Sequence, residues 1–262
     1  MAKGTFQELV EVMHELRQKC PWDKEQTFAT LRQYVLEEAY EVADAMDSVE
    51  KEPHKLADEL GDLLFQVVFQ AELATEKGWF DAADCIGNIR DKLIRRHPHV
   101  FGDVKADTAG QVLKNWEAIK VDERKKGGAT SAIDGVPRAL PSLLRAEKIG
   151  KRAARAGFDW KSAAQVLDKV EEELHEARAA LAQGELHHAG RELGDLFFAA
   201  AQAARFLDVN PEEASRAAVD KFEARFRHLE AALAKQGKTP KDVDDAELDR
   251  LWEQAKAALK NG

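Results

Sequence analysis

The chain has 262 residues, 44% of them hydrophobic and 33% charged, enough for one large domain or two small ones. Its formal net charge is −9 and it contains no long basic run, which argues against a nucleic-acid partner held through the phosphate backbone. Two cysteines (Cys20 and Cys85) outside any Cys-x-x-Cys pair, and no apolar leader or apolar run of about 18 residues, lead us to expect reduced thiols, no membrane insertion and a cytoplasmic location.

Few prolines and tyrosines against abundant Ala, Leu, Glu, Lys and Arg favour helix over sheet. A first helix is expected over 5–19, with Phe6, Leu9, Val10, Met13 and Leu16 on one face, stopped by Cys20-Pro21-Trp22-Asp23. Further helices are expected over 27–49, 54–77, 81–96 and 108–126. The small, polar stretch Lys125-Lys126-Gly127-Gly128-Ala129-Thr130-Ser131 reads as the start of a linker. The order then repeats: a helix to about residue 156, a break at Gly157-Phe158-Asp159-Trp160, and three or four more helices.

The repetition extends to particular residues. Glu37-Glu38-Ala39-Tyr40-Glu41 aligns with Glu172-Glu173-Leu174-His175-Glu176, and Glu59-Leu60-Gly61-Asp62 with Glu192-Leu193-Gly194-Asp195. Lys92 and Arg96 match Lys221 and Arg225, and Trp116 and Lys120 match Trp252 and Lys256. The offsets of 135, 133, 129 and 136 differ only by small loop insertions. We therefore expect an all-α protein of two tandem, four-helix-bundle-like domains from an internal duplication: 1–124, a linker at 125–136, and 137–262.

In each half, two acids three residues apart share a helix face: Glu38 with Glu41 and Glu59 with Asp62, then Glu173 with Glu176 and Glu192 with Asp195. If the helices pack antiparallel, four carboxylates meet, and a hard cation (Mg²⁺, with Mn²⁺ as substitute) relieves their repulsion. Gly61 and Gly194 interrupt strongly apolar helices at a cost of about 1 kcal/mol each against alanine. This suggests that a bulkier residue would obstruct something there, and the apolar runs that follow suggest buried helices. A di-iron reading of Glu172-x-x-His175 lacks its second Glu-x-x-His motif, and His175 is read as a bystander. The Lys/Arg pairs suit a phosphate clamp, and the tryptophans suit either core packing or stacking on a base.

With these strings, and with Cys20-Pro21-Trp22-Asp23-Lys24-Glu25-Gln26-Thr27 and Arg95-Arg96-His97-Pro98-His99-Val100-Phe101, the sequence resembles the MazG family of all-α nucleoside triphosphate pyrophosphohydrolases over nearly its whole length. The resemblance implies two MazG-type domains, a homodimer, and Mg²⁺-dependent cleavage of nucleoside triphosphates to monophosphate and pyrophosphate that clears unwanted nucleotides. It implies metal ligands at Glu173, Glu176, Glu192 and Asp195, with a second set at Glu38, Glu41, Glu59 and Asp62. It implies nucleotide contacts at Lys169, Lys221, Arg225, Trp252 and Lys256, mirrored by Lys92, Arg96, Trp116 and Lys120. Arg191 is grouped with these, although it stands where the family often carries another acid. It favours catalysis in the second half, with Glu172 to orient or deprotonate the attacking water. Two alternatives stay open: a nucleotide-binding or regulatory module, and a narrower dUTPase-like or dCTPase-like pyrophosphatase.

Overall fold

A computed structural model describes residues 3–259; the ends of the two expected domains, 1–2 and 260–262, lie outside the described residues. Among those residues there are α-helices, one 3-10 turn and no strand. The chain divides into two compact units, Met1–Val121 and Asp122–Gly262.

In the first unit, α1 (Phe6–Lys19) starts at a capping box: the Thr5 hydroxyl accepts from the Glu8 backbone N–H, and the Glu8 carboxylate accepts from the Thr5 N–H at 2.6 Å. The expected break at Cys20 is a helix junction, because Pro21 at the first position, where its missing N–H costs nothing, opens the short α2 (Pro21–Glu25). Arg17 fastens this junction by donating to the carbonyls of Asp23 and Gln26, while its other nitrogens hold Glu76 at 2.6 and 2.7 Å. Thr27 caps α3 (Phe28–Asp47), and a short turn leads to Pro53 at the start of α4 (Pro53–Glu76). The two pack as a helical hairpin, with α1 against α4. Met13, Leu31, Val68, Phe69 and Leu73 form the core. Asp81 caps α5 (Ala82–Arg96), followed by α6 (Pro98–Phe101) and α7 (Ala109–Lys126). Lys125 and Lys126, expected in the linker, are the last residues of α7, and the unit boundary falls inside that helix.

The second unit contains α8 (Ser142–Arg155), α9 (Ala163–Ala182), α10 (Leu186–Phe206), α11 (Pro211–Ala234), the 3-10 turn Pro240–Asp242 and α12 (Asp245–Ala258). Gly184, at φ 77°, makes the tight turn between α9 and α10 in a conformation open to glycine. Ala177, Ala180, Ala189 and Ala199 are buried on these two helices. Against α8 lies a polar knot: the fully buried Gln202 amide donates to the Ala146 carbonyl at 2.8 Å, and Arg205 bridges Gln202 to Asp159. A Cβ on Gly150 would stand 1.8 Å from the Gln202 oxygen, so any larger residue forces the Gln202 amide out of its place. Leu229, Leu233 and Leu251 form a second cluster between α11 and α12, with Trp252 packed on it.

One expectation is corrected, and another finds no support within the chain itself. The acid-bearing helices α4 and α10 are not buried all round: Leu60, Leu64 and Val67 recur on one exposed face of α4, as do Leu193 and Phe197 on α10. Their apolar runs wrap the whole helix, and a single copy of the chain covers only part of it. Nor does any group of the described chain crowd Gly61 or Gly194, since a Cβ at either would meet nothing within 4 Å.

Candidate active site

Each helical hairpin brings three carboxylates together. Glu38 and Glu41 project from α3 toward Glu59 on α4, with ligand oxygens all within 4.8 Å of one another; Glu173 and Glu176 on α9 and Glu192 on α10 repeat this. Asp62 and Asp195 stand outside these groups of three. Each lies one turn further along its helix, about 4.5 Å of rise. Asp62 is still near enough to act on Glu38.

Crowding like charges in partly desolvated surroundings disfavours ionisation. Burial, then Asp62, Glu41, Glu37 and Glu59, push the Glu38 carboxyl above its ordinary range. Glu176 is likewise raised, by desolvation and then by Glu173, Glu192 and Glu172, but here Lys169 pulls the other way. The Lys169 ammonium lies 2.5 Å from Glu173 and 2.8 Å from Glu172, and these carboxylates, Glu172 first, hold it more firmly protonated than an ordinary lysine. Glu173 is the more deeply buried of the two, its side chain 6% exposed. On α10, His188 reaches Glu192 at 2.8 Å and Glu185 at 3.0 Å. The repeat offsets place Tyr34 at the position of Lys169 and Lys55 at that of His188. The Tyr34 ring packs edge-on against Trp22, 6.1 Å between centroids.

The proposed nucleotide contacts fall into separate groups. Lys221 is exposed on α11, and Arg225 one turn on keeps its Nε buried with no hydrogen-bond partner among the described residues. Trp252 meets Phe222 at 5.2 Å and joins the leucine cluster, so it is at least partly a core residue, and Lys256 pairs with Glu253. In the first half, Arg96 and Lys120 lie 5.8 and 4.1 Å from the Trp116 ring, and Lys120 also holds Glu117 at 3.2 Å. Lys92 is exposed on α5. Arg191 is exposed and leans on His187 at 3.0 Å, and the His175 Nδ1 turns back to the Glu171 carbonyl at 2.8 Å. His188 is the residue that sequence reasoning passed over; its i,i+4 spacing to Glu192 was the available signal.

The chain is thus all-helical and duplicated, with a cluster of carboxylates on the paired helices of each half. Residues 26–101 match the MazG nucleotide pyrophosphohydrolase domain, and residues 146–221 match phosphoribosyl-ATP pyrophosphohydrolase. The chain is 47% identical over 256 residues to the nucleoside triphosphate pyrophosphohydrolase of Escherichia coli (strain K12), covering 95% of each protein. It is 42% identical over 253 residues to the nucleoside triphosphate pyrophosphohydrolase/pyrophosphatase MazG of Thermotoga maritima, covering 96% of this chain and 95% of that one. The chain belongs to the MazG family of nucleoside triphosphate pyrophosphohydrolases, hydrolases acting on acid anhydrides.

Proposed function

We propose that the chain cleaves nucleoside triphosphates between the α and β phosphates, releasing monophosphate and pyrophosphate, and so clears non-standard or excess nucleotides from the cytoplasm. The observation that carries this reading is the convergence of three carboxylates in each hairpin, in a chain related over 95% of its length to a nucleoside triphosphate pyrophosphohydrolase. All-oxygen donors whose like charges raise Glu38 and Glu176 suit a hard divalent ion, Mg²⁺ or Mn²⁺. Glu173, Glu176, Glu192 and Asp195 would hold it in the second half, and Glu38, Glu41, Glu59 and Asp62 in the first. Bound there, the ion supplies charge neutralisation for the triphosphate and acidifies water.

Glu172, beside these acids, takes the proton of the attacking water. The water oxygen bonds to the α-phosphorus as the bond to the bridging oxygen breaks, and pyrophosphate departs with the electron pair. Lys221 and Arg225 balance the charge growing on it, and the unpartnered Nε of Arg225 is a donor suited to an anionic acceptor. The apolar faces left exposed on α4 and α10, with open space at Gly61 and Gly194, support a homodimer as the working form.

Pyrophosphate release tests the scheme. Glu176→Ala or Asp195→Ala is expected to lower it at least about a hundredfold, as loss of a metal ligand does, and Glu41→Ala by under about threefold. Near wild-type turnover in Asp195→Ala would sink the mechanism; a Glu41→Ala loss equal to that of Glu176→Ala would move catalysis to both halves. Nucleotide-dependent stabilisation without product would instead favour a binding or regulatory module. A triphosphate panel separates a broad enzyme from a dUTPase-like or dCTPase-like one.

A further inference from the structure

The two acid sets differ in one charge. Lys169 sits within the second set with its ammonium 2.5 Å from the buried Glu173 and 2.8 Å from Glu172. The same register of the first set holds Tyr34, a neutral ring packed against Trp22. Accordingly, the strongest influences on Glu38 besides its own burial are acids, whereas at Glu176 a lysine opposes them. A divalent ion approaching Glu173 must displace that ammonium or tolerate a like charge a few ångströms away. An ion approaching Glu38 relieves repulsion and displaces nothing from these carboxylates. Lys55, at the register of His188, makes no ion pair with Glu59 among the described residues.

We propose that Lys169 is a tethered counter-cation that keeps the second acid set from taking up a free divalent ion and lets it in when a triphosphate draws the ammonium away, while the first set loads the ion unaided. This rests on reading the acids as a metal site. Lys169 has the means to do so: its side chain is 36% exposed on a flexible four-carbon stem, and a triphosphate offers anionic oxygens in exchange for the carboxylates. Ion and triphosphate then bind the second half cooperatively, each strengthening the other by the same factor. The first half lacks that link. Lys169 acts here as a positioning residue whose effect is read in ion affinity.

The experiment is a Mn²⁺ titration of the full chain, following the electron paramagnetic resonance of the free ion, in two backgrounds. Glu38→Gln/Glu41→Gln leaves the second set, and Glu173→Gln/Glu176→Gln leaves the first. Without nucleotide, the first set is expected to bind at least about fivefold more tightly, and Lys169→Met or Lys169→Tyr to tighten the second set by a similar factor, the scale of one partly exposed ion pair. Lys169→Arg, keeping the charge, should not. A triphosphate with a methylene bridge between α and β should tighten Mn²⁺ at the second set more in the Lys169 chain than in Lys169→Met. Equal affinities at the two sets, or a shift below about twofold in both Lys169→Met and Lys169→Tyr, would overturn the proposal, leaving the lysine pair an ordinary surface bridge. Failure of either set to bind Mn²⁺ with or without triphosphate would instead remove the metal reading beneath it.

Discussion

The two halves present the same three glutamates on the same kind of helical hairpin but differ in what surrounds them. The first half is built around Met13, Leu31 and Phe69, and the charges pressing hardest on its Glu38 are acidic. The second half places Gln202 where the repeat has Phe69, ties it to Arg205 and Asp159, and sets Lys169 and His188 on its acids. Duplication thus preserved the donors while their counter-ions and the packing behind them diverged. A carboxylate cluster alone therefore does not define what a site does; the nearest cation and the helix contacts that fix it matter as much.

Substitutions can break that contrast at the level of stability. Phe69→Ala should have the largest effect, about 3–5 kcal/mol in urea unfolding, because it empties a fully buried position in an apolar core. Gly150→Ala strikes the polar counterpart, driving a methyl into a pinned Gln202, with an expected loss of up to about 3 kcal/mol by the same measurement. Arg205→Met should cost about 1–2 kcal/mol at pH 7, since it strips partners from Gln202 and from the partly exposed Asp159. That loss should depend on pH. The Arg205 hydrogen bond lowers the Asp159 pKa in the folded state, so the pair's contribution is present above the ordinary aspartate range and disappears as pH falls through the folded value. The difference in stability between Arg205→Met and wild type should therefore shrink below about pH 4. Smallest is Gly61→Ala, which meets no neighbour within 4 Å and should stabilise the isolated chain by up to about 1 kcal/mol through helix propensity. A fall in dimer content in the same variant, read by light scattering at dilution, would show that a partner fills the open space.

Much of this was legible in sequence because the helix boundaries are written in local chemistry. Thr5, Thr27 and Asp81 cap their helices and Pro53 opens another, so the expected spans stand within one or two residues of those observed. The repeat and the i,i+3 spacing also identified which acids would meet. What was missed depends on matters beyond one helix. The short helices after Cys20 and His97 were signalled by Pro21 and Pro98 but are too brief for periodicity to detect. Three acids of each half meet within 4.8 Å, and Asp62, outside that group, still acts on Glu38, a distinction that a view of helix faces does not draw. Leu64 and Phe197 are exposed because a hydrophobic run indicates that a face needs cover without indicating whether the same chain supplies it.

Arg17 and Arg152, one in each half, hold their loops in a way that constrains mutation unevenly. Arg17 grips the carbonyls of Asp23 and Gln26, and Arg152 those of Ile133, Asp134 and Gly135. Every residue type offers a backbone carbonyl, so the held segments are free to change their side chains without losing this anchor. The arginine has no such freedom, because lysine carries no planar fork to span several acceptors. Tolerance in the loop and intolerance in the helix follow from one contact, and a saturation library over these positions would record it as neighbouring columns of opposite character.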